Sequence, residues 1–280
     1  MTLLHILTVA LVQGITEFLP ISSQAHLILV PQATGWCDQS LVMDIAVHLG
    51  TLFAVVLYFW RDCLALARGA GAVLRGRVDG NEARLALYVV IATLPAIAAG
   101  FAVHKWAGTS LRSLTVIAWT TLLFGMALWA ADRWGARALR LAEMNWGRAL
   151  IIGCAQMLAL VPGTSRSGVT MTAARMLGFE RDEAARFSLL IAMPVILGAA
   201  TLAGLELVEA GSLQLTAAAA LAAGLSLVAA LGAIAAMMRW LARASFAPFV
   251  IYRLILGLVL LAAVYGFGFG EAKLATACLQ

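Results

Sequence analysis

The sequence predicts an all-α polytopic membrane protein built as an inverted-topology repeat, with about six transmembrane helices and two re-entrant helical hairpins. Three observations carry that expectation: the composition, two polar interruptions in otherwise apolar segments, and the distribution of arginine. Of the 280 residues, 63% are hydrophobic and only 12% are charged, where a soluble domain carries about 25% charge. The mean hydropathy of +0.95 points the same way. The net charge of +5 comes from basic residues scattered over short connections without interleaved aromatics, so a nucleic-acid partner is not expected. Residues 1–12 lack a basic leader region and run straight into a polar motif, so the first helix is expected to stay rather than be cleaved. Cys37, Cys63, Cys154 and Cys278 show neither metal nor redox spacing and are expected to be packing residues.

The first interruption spans residues 13–26 and reads Gln-Gly-Ile-Thr-Glu-Phe-Leu-Pro-Ile-Ser-Ser-Gln-Ala-His. Gln13 and Glu17 are four apart and share a face if helical. Pro20 stops that helix, because its ring cannot continue the hydrogen-bond ladder and the residue before it is pushed out of the α region. Ser22 or Ser23 can then cap a second short helix through Ala25, Leu27 and Leu29. The result is helix, break, helix, with backbone N–H groups at the break that suit an anion and with Ser23 and His26 in the turn beside them.

A polar turn follows at 32–40, and 41–60 is apolar and long enough to cross a bilayer. Asp44 and His48 lie near its start, again four apart. Residues 61–84 read as a basic loop, and 85–103 and 114–131 as two more spans, joined by a connection holding Lys105 and Arg112. A second basic loop carries Arg133, Arg137, Arg140 and Arg148. Residues 149–161 are apolar but too short to cross alone, and they run into the second interruption, Pro162-Gly-Thr-Ser-Arg-Ser-Gly-Val-Thr170. After a charged stretch at 175–186, three spans are expected near 187–205, 215–238 and 249–269. Arg253 in the last of these is expected to snorkel to the boundary.

The chain is therefore expected to form one membrane domain over 1–280, with repeats at about 1–140 and 143–280. A shift of 142 places Leu19-Pro20-Ile21-Ser22-Ser23 on Val161-Pro162-Gly163-Thr164-Ser165. If each interruption is a hairpin that enters and leaves on one side, each half has three crossings and the second half is inverted. Arginine placement agrees. With both termini outside, the inner connections hold fourteen basic residues (Arg61, Arg68, Arg75, Arg77, Arg84, Arg133, Arg137, Arg140, Arg148, Arg175, Arg181, Arg186, Arg239 and Arg243) and the outer ones three, Lys105, Arg112 and Lys273. The two hairpin tips then meet near the midplane, one with Glu17, Ser23 and His26, the other with Ser165, Arg166, Ser167 and Thr170.

Arg166 is always charged and presents a planar fork of donors, so at a buried tip it needs a carboxylate or a phosphate. A salt bridge to Glu17 is the simpler of the two outcomes. Gly163 permits a tight turn, Thr164, Ser165, Ser167 and Thr170 add hydroxyls, and the helix that follows supplies N–H groups for a second anion site. Two phosphate-suited tips facing one another suggest a diphosphate. For Asp44 and His48 a satisfied ion pair outranks a metal site.

Pro162 to Thr170, together with Gln13-x-x-x-Glu17 and Ser22-Ser23-x-x-His26, resembles the undecaprenyl-diphosphate phosphatases of the BacA type over essentially the whole chain. The resemblance implies a multi-pass enzyme of the bacterial inner membrane that removes the terminal phosphate from undecaprenyl diphosphate, recycling the carrier lipid for peptidoglycan synthesis. It also implies bacitracin resistance, homodimerisation and a divalent cation, Mg or Ca. Many members carry Glu where this chain has Gln13, which removes one metal ligand, and Thr-Gly where it has Gln24-Ala25. By the same resemblance Gln13, Ser22, Gly163, Thr164, Ser165, Ser167 and Thr170 belong to phosphate binding and Arg166 to catalysis, while Glu17 is a general base or metal ligand. Three attacking groups stay open: Ser23 activated by His26, His26 itself, or a water activated by Glu17 or His26. The competing class is a secondary transporter or flippase for phosphate or a phosphorylated lipid, since inverted repeats with broken helices describe many transporters. The Lys-x6-Arg-Pro and His-x3-Asp elements of PAP2-type phosphatases are absent, as is the Asp-Asp-x-x-Asp of soluble prenyl-diphosphate chemistry.

Overall fold

Both interrupted segments fold as a helix, a break and a second helix. The computed structural model describes residues 2–37, 39–106, 113–209, 211 and 216–266, with 103–106 by backbone alone. Helix α1 (Leu3–Thr16) is capped by Thr2 and α2 (Ser23–Thr34) by Ser22, whose hydroxyl accepts from the Ala25 N–H at 3.4 Å. Helix α7 (Trp146–Gln156) tightens into a 3₁₀ turn at Met157–Leu160 before the second break, and α8 (Arg166–Met176) follows with Ser165 as its cap. Ser22 and Ser165 are the two non-glycine residues with positive φ among the described residues, at +74° and +71°. The same strained cap thus opens the second helix of each pair.

Those caps are 143 residues apart, one more than the offset that superposes the two prolines. The second break therefore has one residue more between its proline and its cap, and Gly163 at φ +88° makes the turn there.

Six helices are long and apolar enough to cross a membrane: α3 (Leu41–Tyr58), α5 (Asn81–Trp106), α6 (Leu114–Trp134), α9 (Arg181–Glu209), α10 (Ala217–Leu241) and α11 (Ala247–Gly266). They coincide with the expected spans. The connection holding Arg112, residue 215, and everything past 266, including Lys273 and Cys278, lie outside the described residues, as does the side chain of Lys105.

The expected loop at 61–84 is instead helical over much of its length, as α4 (Trp60–Leu74). Its apolar residues Trp60, Leu64, Ala67 and Leu74 recur at helical spacing between exposed arginines, which the arginine count alone concealed. Gly69 lies so close to the backbone of Glu82 and Ala83 that a side chain there would collide with it, so α4 packs tightly on the start of α5. Cys63 and Cys154 are free thiols, whereas Cys37 is disulfide-bonded, which the cysteine spacing did not signal.

Ion pairs gather the basic connections at one end of the molecule. Arg186 at the start of α9 pairs with Asp62 just past α3. Asp132 at the end of α6 receives Arg181 at 2.7 Å, Arg175 at 3.3 Å and the Phe246 N–H at 3.2 Å. Helices α3, α6 and α10 therefore end where α5, α9 and α11 begin, and the three spans of one half alternate in the opposite sense to those of the other. The α1–α2 pair starts and finishes at the far end, where His5 packs against Trp36 with the rings tilted and their centroids 4.8 Å apart. The α7–α8 pair starts and finishes at the basic end, where Arg175 also donates to the carbonyls of Gly135 and Ala136.

Packing follows the same pairing. Helix α1 lies on α10 and α7 on α5, while α3 meets α9 and α6 meets α11. A Cβ on Gly14 would sit 2.7 Å from the Ser226 carbonyl, and one on Gly153 2.6 Å from that of Ala92. Both short pairs are thus wedged against a span at backbone distance.

Candidate active site

Glu17 caps the end of α1, and four groups converge on its carboxylate. Gln13, one turn earlier, donates to Oε2 at 2.9 Å, and the Ser23 hydroxyl, opening α2, donates to the same oxygen at 2.6 Å. Arg166, first residue of α8, reaches across from the other tip and donates to Oε1 at 2.7 Å. The Nε2 of His48 lies 3.9 Å from Oε2. The other branch of the Arg166 guanidinium donates to the Ala192 carbonyl of α9 at 3.0 Å, which fixes the plane of the fork. Carboxylate and guanidinium are both largely buried. At that depth the pair holds together because each charge would otherwise stand uncompensated in low dielectric.

A cavity of about 390 Å³ opens on this cluster. Its polar wall is Glu17, Ser22, Ser23, Asp44, His48, Ser165 and Arg166, and its apolar wall includes Leu27, Ile28 and Ala159. Gln39 and Asp44 line it too, which directs the opening toward the end where α3 begins, away from the basic connections. Helices α2 and α8 both start at this cavity. Their first N–H groups lie outside the helical ladder and their dipoles favour negative charge there.

The tips are also tied to each other behind the cavity. Ser167 donates to the Leu19 carbonyl at 2.9 Å, and its hydroxyl lies 3.1 Å from that of Ser165. Thr170 donates back to the Arg166 carbonyl at 2.8 Å and meets the Ser188 hydroxyl at 2.6 Å. Gly163 has no room for a side chain, since a Cβ there would lie 2.7 Å from the Ile117 carbonyl. Of the residues expected to bind phosphate, Ser22 and Ser165 thus face the cavity and Gln13 reaches it through Glu17. Gly163, Thr164, Ser167 and Thr170 shape the tip from behind.

Two expectations change. Arg253 does not snorkel: it is fully buried and is hydrogen-bonded to the carbonyls of Pro20 in one break and of Gly163 and Thr164 in the other, at 3.0–3.2 Å. It also donates to Thr120 and Thr121 of α6. Prolines and a φ-positive glycine leave carbonyls without helical partners in both breaks, and one guanidinium with five N–H donors satisfies them. An arginine inside an apolar span was the available signal; its distance from the motifs in sequence hid the partner. Secondly, Asp44 and His48 do not form an isolated ion pair at the end of a span. The His48 Nδ1 bonds the backbone carbonyl of Asp44 at 2.8 Å, and its ring faces Glu17.

His26 sits on the other side of α2. Its Nδ1 is 2.7 Å from the Ser22 carbonyl, and its Nε2 meets the hydroxyl of Tyr252, on which the ring is stacked. Ser23 and His26 are thus close in sequence yet turned to different partners, and Tyr252 had no signal in the sequence.

The divalent cation implied by the resemblance finds no protein-only ligand set here. Among the described residues no three His, Cys, Asp or Glu side chains converge to hold a metal ion. Both oxygens of Glu17 are engaged by Arg166, Gln13 and Ser23.

Six apolar spans enclosing two broken helices, with a carboxylate, a hydroxyl and a guanidinium between the breaks, define a multi-pass membrane protein with a polar centre suited to phosphoryl groups. The family described as "Bacitracin resistance protein BacA" matches residues 6–259. The chain belongs to that family. It is 50% identical over 267 residues to the undecaprenyl-diphosphatase of Ruegeria pomeroyi, covering 95% of this chain and all of the relative. It is similarly 50% identical to undecaprenyl-diphosphatase 1 of Rhodospirillum rubrum, covering 95% of this chain and 96% of the relative. With the undecaprenyl-diphosphatase of Chromohalobacter salexigens it shares 51% identity, over 92% and 97% of the two chains.

Proposed function

We propose that the chain hydrolyses undecaprenyl diphosphate to undecaprenyl phosphate and inorganic phosphate, returning the carrier lipid to cell-wall synthesis. The observation that carries this reading is the meeting of Glu17, Ser23 and Arg166 on one cavity at the starts of two helices. A site built only to pass an anion needs the guanidinium and the N–H groups, but not a hydroxyl bonded to a carboxylate.

The chemistry runs as two phosphoryl transfers. The terminal phosphate enters between the helix starts and shares Arg166, which loosens the hold of the guanidinium on Glu17. Ser23 Oγ attacks the terminal phosphorus and passes its proton to Glu17 Oε2, and the anhydride bond to undecaprenyl phosphate breaks. Arg166 and the N–H groups of α2 and α8 balance the charge that develops on the phosphoryl oxygens. Water then cleaves phosphoserine, releasing inorganic phosphate and restoring Ser23. His26 orients the start of α2 through the Ser22 carbonyl. Gln13 holds the carboxylate rotamer.

The test is phosphate release from a long-chain isoprenyl diphosphate by detergent-purified protein. Ser23→Ala is expected to lower turnover by about three orders of magnitude or more, the scale on which loss of a nucleophile acts. Near-normal turnover in that variant removes Ser23 from the reaction. The same assay with EDTA reads the cation: we place it on the diphosphate of the substrate, so chelation should stop turnover while equilibrium dialysis finds no stoichiometric cation on substrate-free protein.

We further infer that the basic end is cytoplasmic, which puts both termini and the mouth of the cavity outside. The arginine-rich connections support this orientation. Val78→Cys, at an exposed position between α4 and α5, should react with a membrane-impermeant maleimide only after the inner membrane is permeabilised; labelling in intact cells reverses the assignment. The described site residues all come from one chain, so a homodimer, the assembly implied by the resemblance, would carry two separate sites.

A further inference from the structure

We propose that His48 is the base of the second half of the reaction, taking the proton from the water that cleaves phosphoserine at Ser23. This rests on the reading of Ser23 as the attacking group. After the first transfer Glu17 holds the proton that came from Ser23. It is then the acid that returns that proton to Oγ as the phosphorus–oxygen bond breaks, and the same carboxyl cannot also receive the proton of the attacking water. A second acceptor for that proton lets the water attack while Glu17 stays the acid.

The cavity offers Asp44, His48 and Arg166 beside Glu17. Arg166 is a cation with no acceptor. Asp44 stands one helical turn further toward the mouth, whereas His48 and Ser23 approach the same oxygen of Glu17, at 3.9 Å and 2.6 Å. A phosphorus bonded to Ser23 therefore lies within the reach of one water from His48.

The ring is set in the useful tautomer by its backbone contact. A carbonyl only accepts, so the 2.8 Å contact between Nδ1 and the Asp44 carbonyl places the proton on Nδ1 and leaves the lone pair on Nε2. Nε2 is too far from Glu17 for a direct hydrogen bond, and the side chain is about one-third exposed, open to the cavity. His26 has no such opening, because Tyr252 occupies its Nε2.

In the step itself the water oxygen bonds phosphorus and its proton passes to Nε2. The bond from phosphorus to Ser23 Oγ breaks, and Oγ takes the proton from Glu17. His48 then gives its proton to the departing phosphate, which restores every group.

The experiment is rapid-quench kinetics on His48→Gln with a long-chain isoprenyl diphosphate labelled in its terminal phosphate, with elution volume and thermal melting checked against the parent. The expected result is a fall of about 100-fold in kcat, the scale of one general base. A burst of monophosphate lipid equal to the enzyme should remain, with the label accumulating on Ser23. Turnover at the parent rate overturns the proposal, as does a burst slowed in proportion to kcat with no labelled protein, while Ser23→Ala remains inactive. If Ser23→Ala itself turns over, the attacking-group assignment fails first and the role of His48 falls with it, a result separable from failure at His48 alone.

Discussion

Arg166→Ala is expected to reduce phosphate release by about 10³- to 10⁵-fold, the range over which a guanidinium that neutralises a transferring phosphoryl group acts. The substitution removes the one side-chain cation facing the cavity among the described residues. It also leaves Glu17 buried without its partner, at a cost of about 3–5 kcal/mol in stability. Arg166→Lys keeps a charge but cannot bridge the Ala192 carbonyl and the carboxylate in one plane, so it should recover most of the stability and little of the rate. Pairing Arg166→Met with Glu17→Gln separates the two effects: with no charge left unpaired, the double variant should melt closer to the parent while remaining inactive. Steady-state kinetics and thermal unfolding in detergent read both quantities. A double variant as unstable as Arg166→Ala would show that the buried pair is not what couples the tips.

Arg253→Met is expected to lower stability by about 3–5 kcal/mol and to abolish turnover, although Arg253 does not line the cavity. Six hydrogen bonds from one guanidinium hold five carbonyls in three separate segments. Each buried carbonyl left without a donor costs about 1–3 kcal/mol, offset in part by relaxation of the breaks. Losing the clamp lets the two breaks move apart, and the 2.7 Å contact between Arg166 and Glu17 is the geometry that movement destroys. Arg253→Lys, with three donors for the same carbonyls, should fall between the two in melting temperature and keep measurable activity. If Arg253→Met turns over normally, the breaks hold their shape without it and the clamp is structural decoration.

The close approach around Arg253 constrains its neighbours as well. A Cβ on Gly168 would lie 2.7 Å from the Arg253 Nη1, and one on Gly125 3.0 Å from the Arg253 Cβ. The guanidinium thus reaches both breaks through gaps that only glycine leaves open, and its loss could not be made good by a longer side chain nearby.

The sequence by itself determined the membrane class, the six spans and the two interruptions, because each of these rests on local physics. A run of apolar residues must satisfy its backbone internally where no water can, and Pro20 and Pro162 mark breaks because they stand among hydroxyl-bearing polar residues, unlike Pro31, Pro95 and Pro194, which lie inside helices. The face shared by Gln13 and Glu17 follows from helical spacing, and the needs of a helix start narrow the cap of α2 to Ser22 or Ser23, between which the structure selects Ser22. Only the tertiary structure decided which of the polar residues meet. Ser23 and His26 are three apart, and the turn of α2 sends one to Glu17 and the other to Tyr252. His48, ranked low as a residue at a span end, comes to the cavity because α3 packs beside the first tip. Arg253 lies 233 residues from the carbonyl of Pro20 that it satisfies. A buried charge takes its meaning from its partners, and the partners of a charge in a membrane interior are set by which helices adjoin, a property that no stretch of neighbouring residues contains.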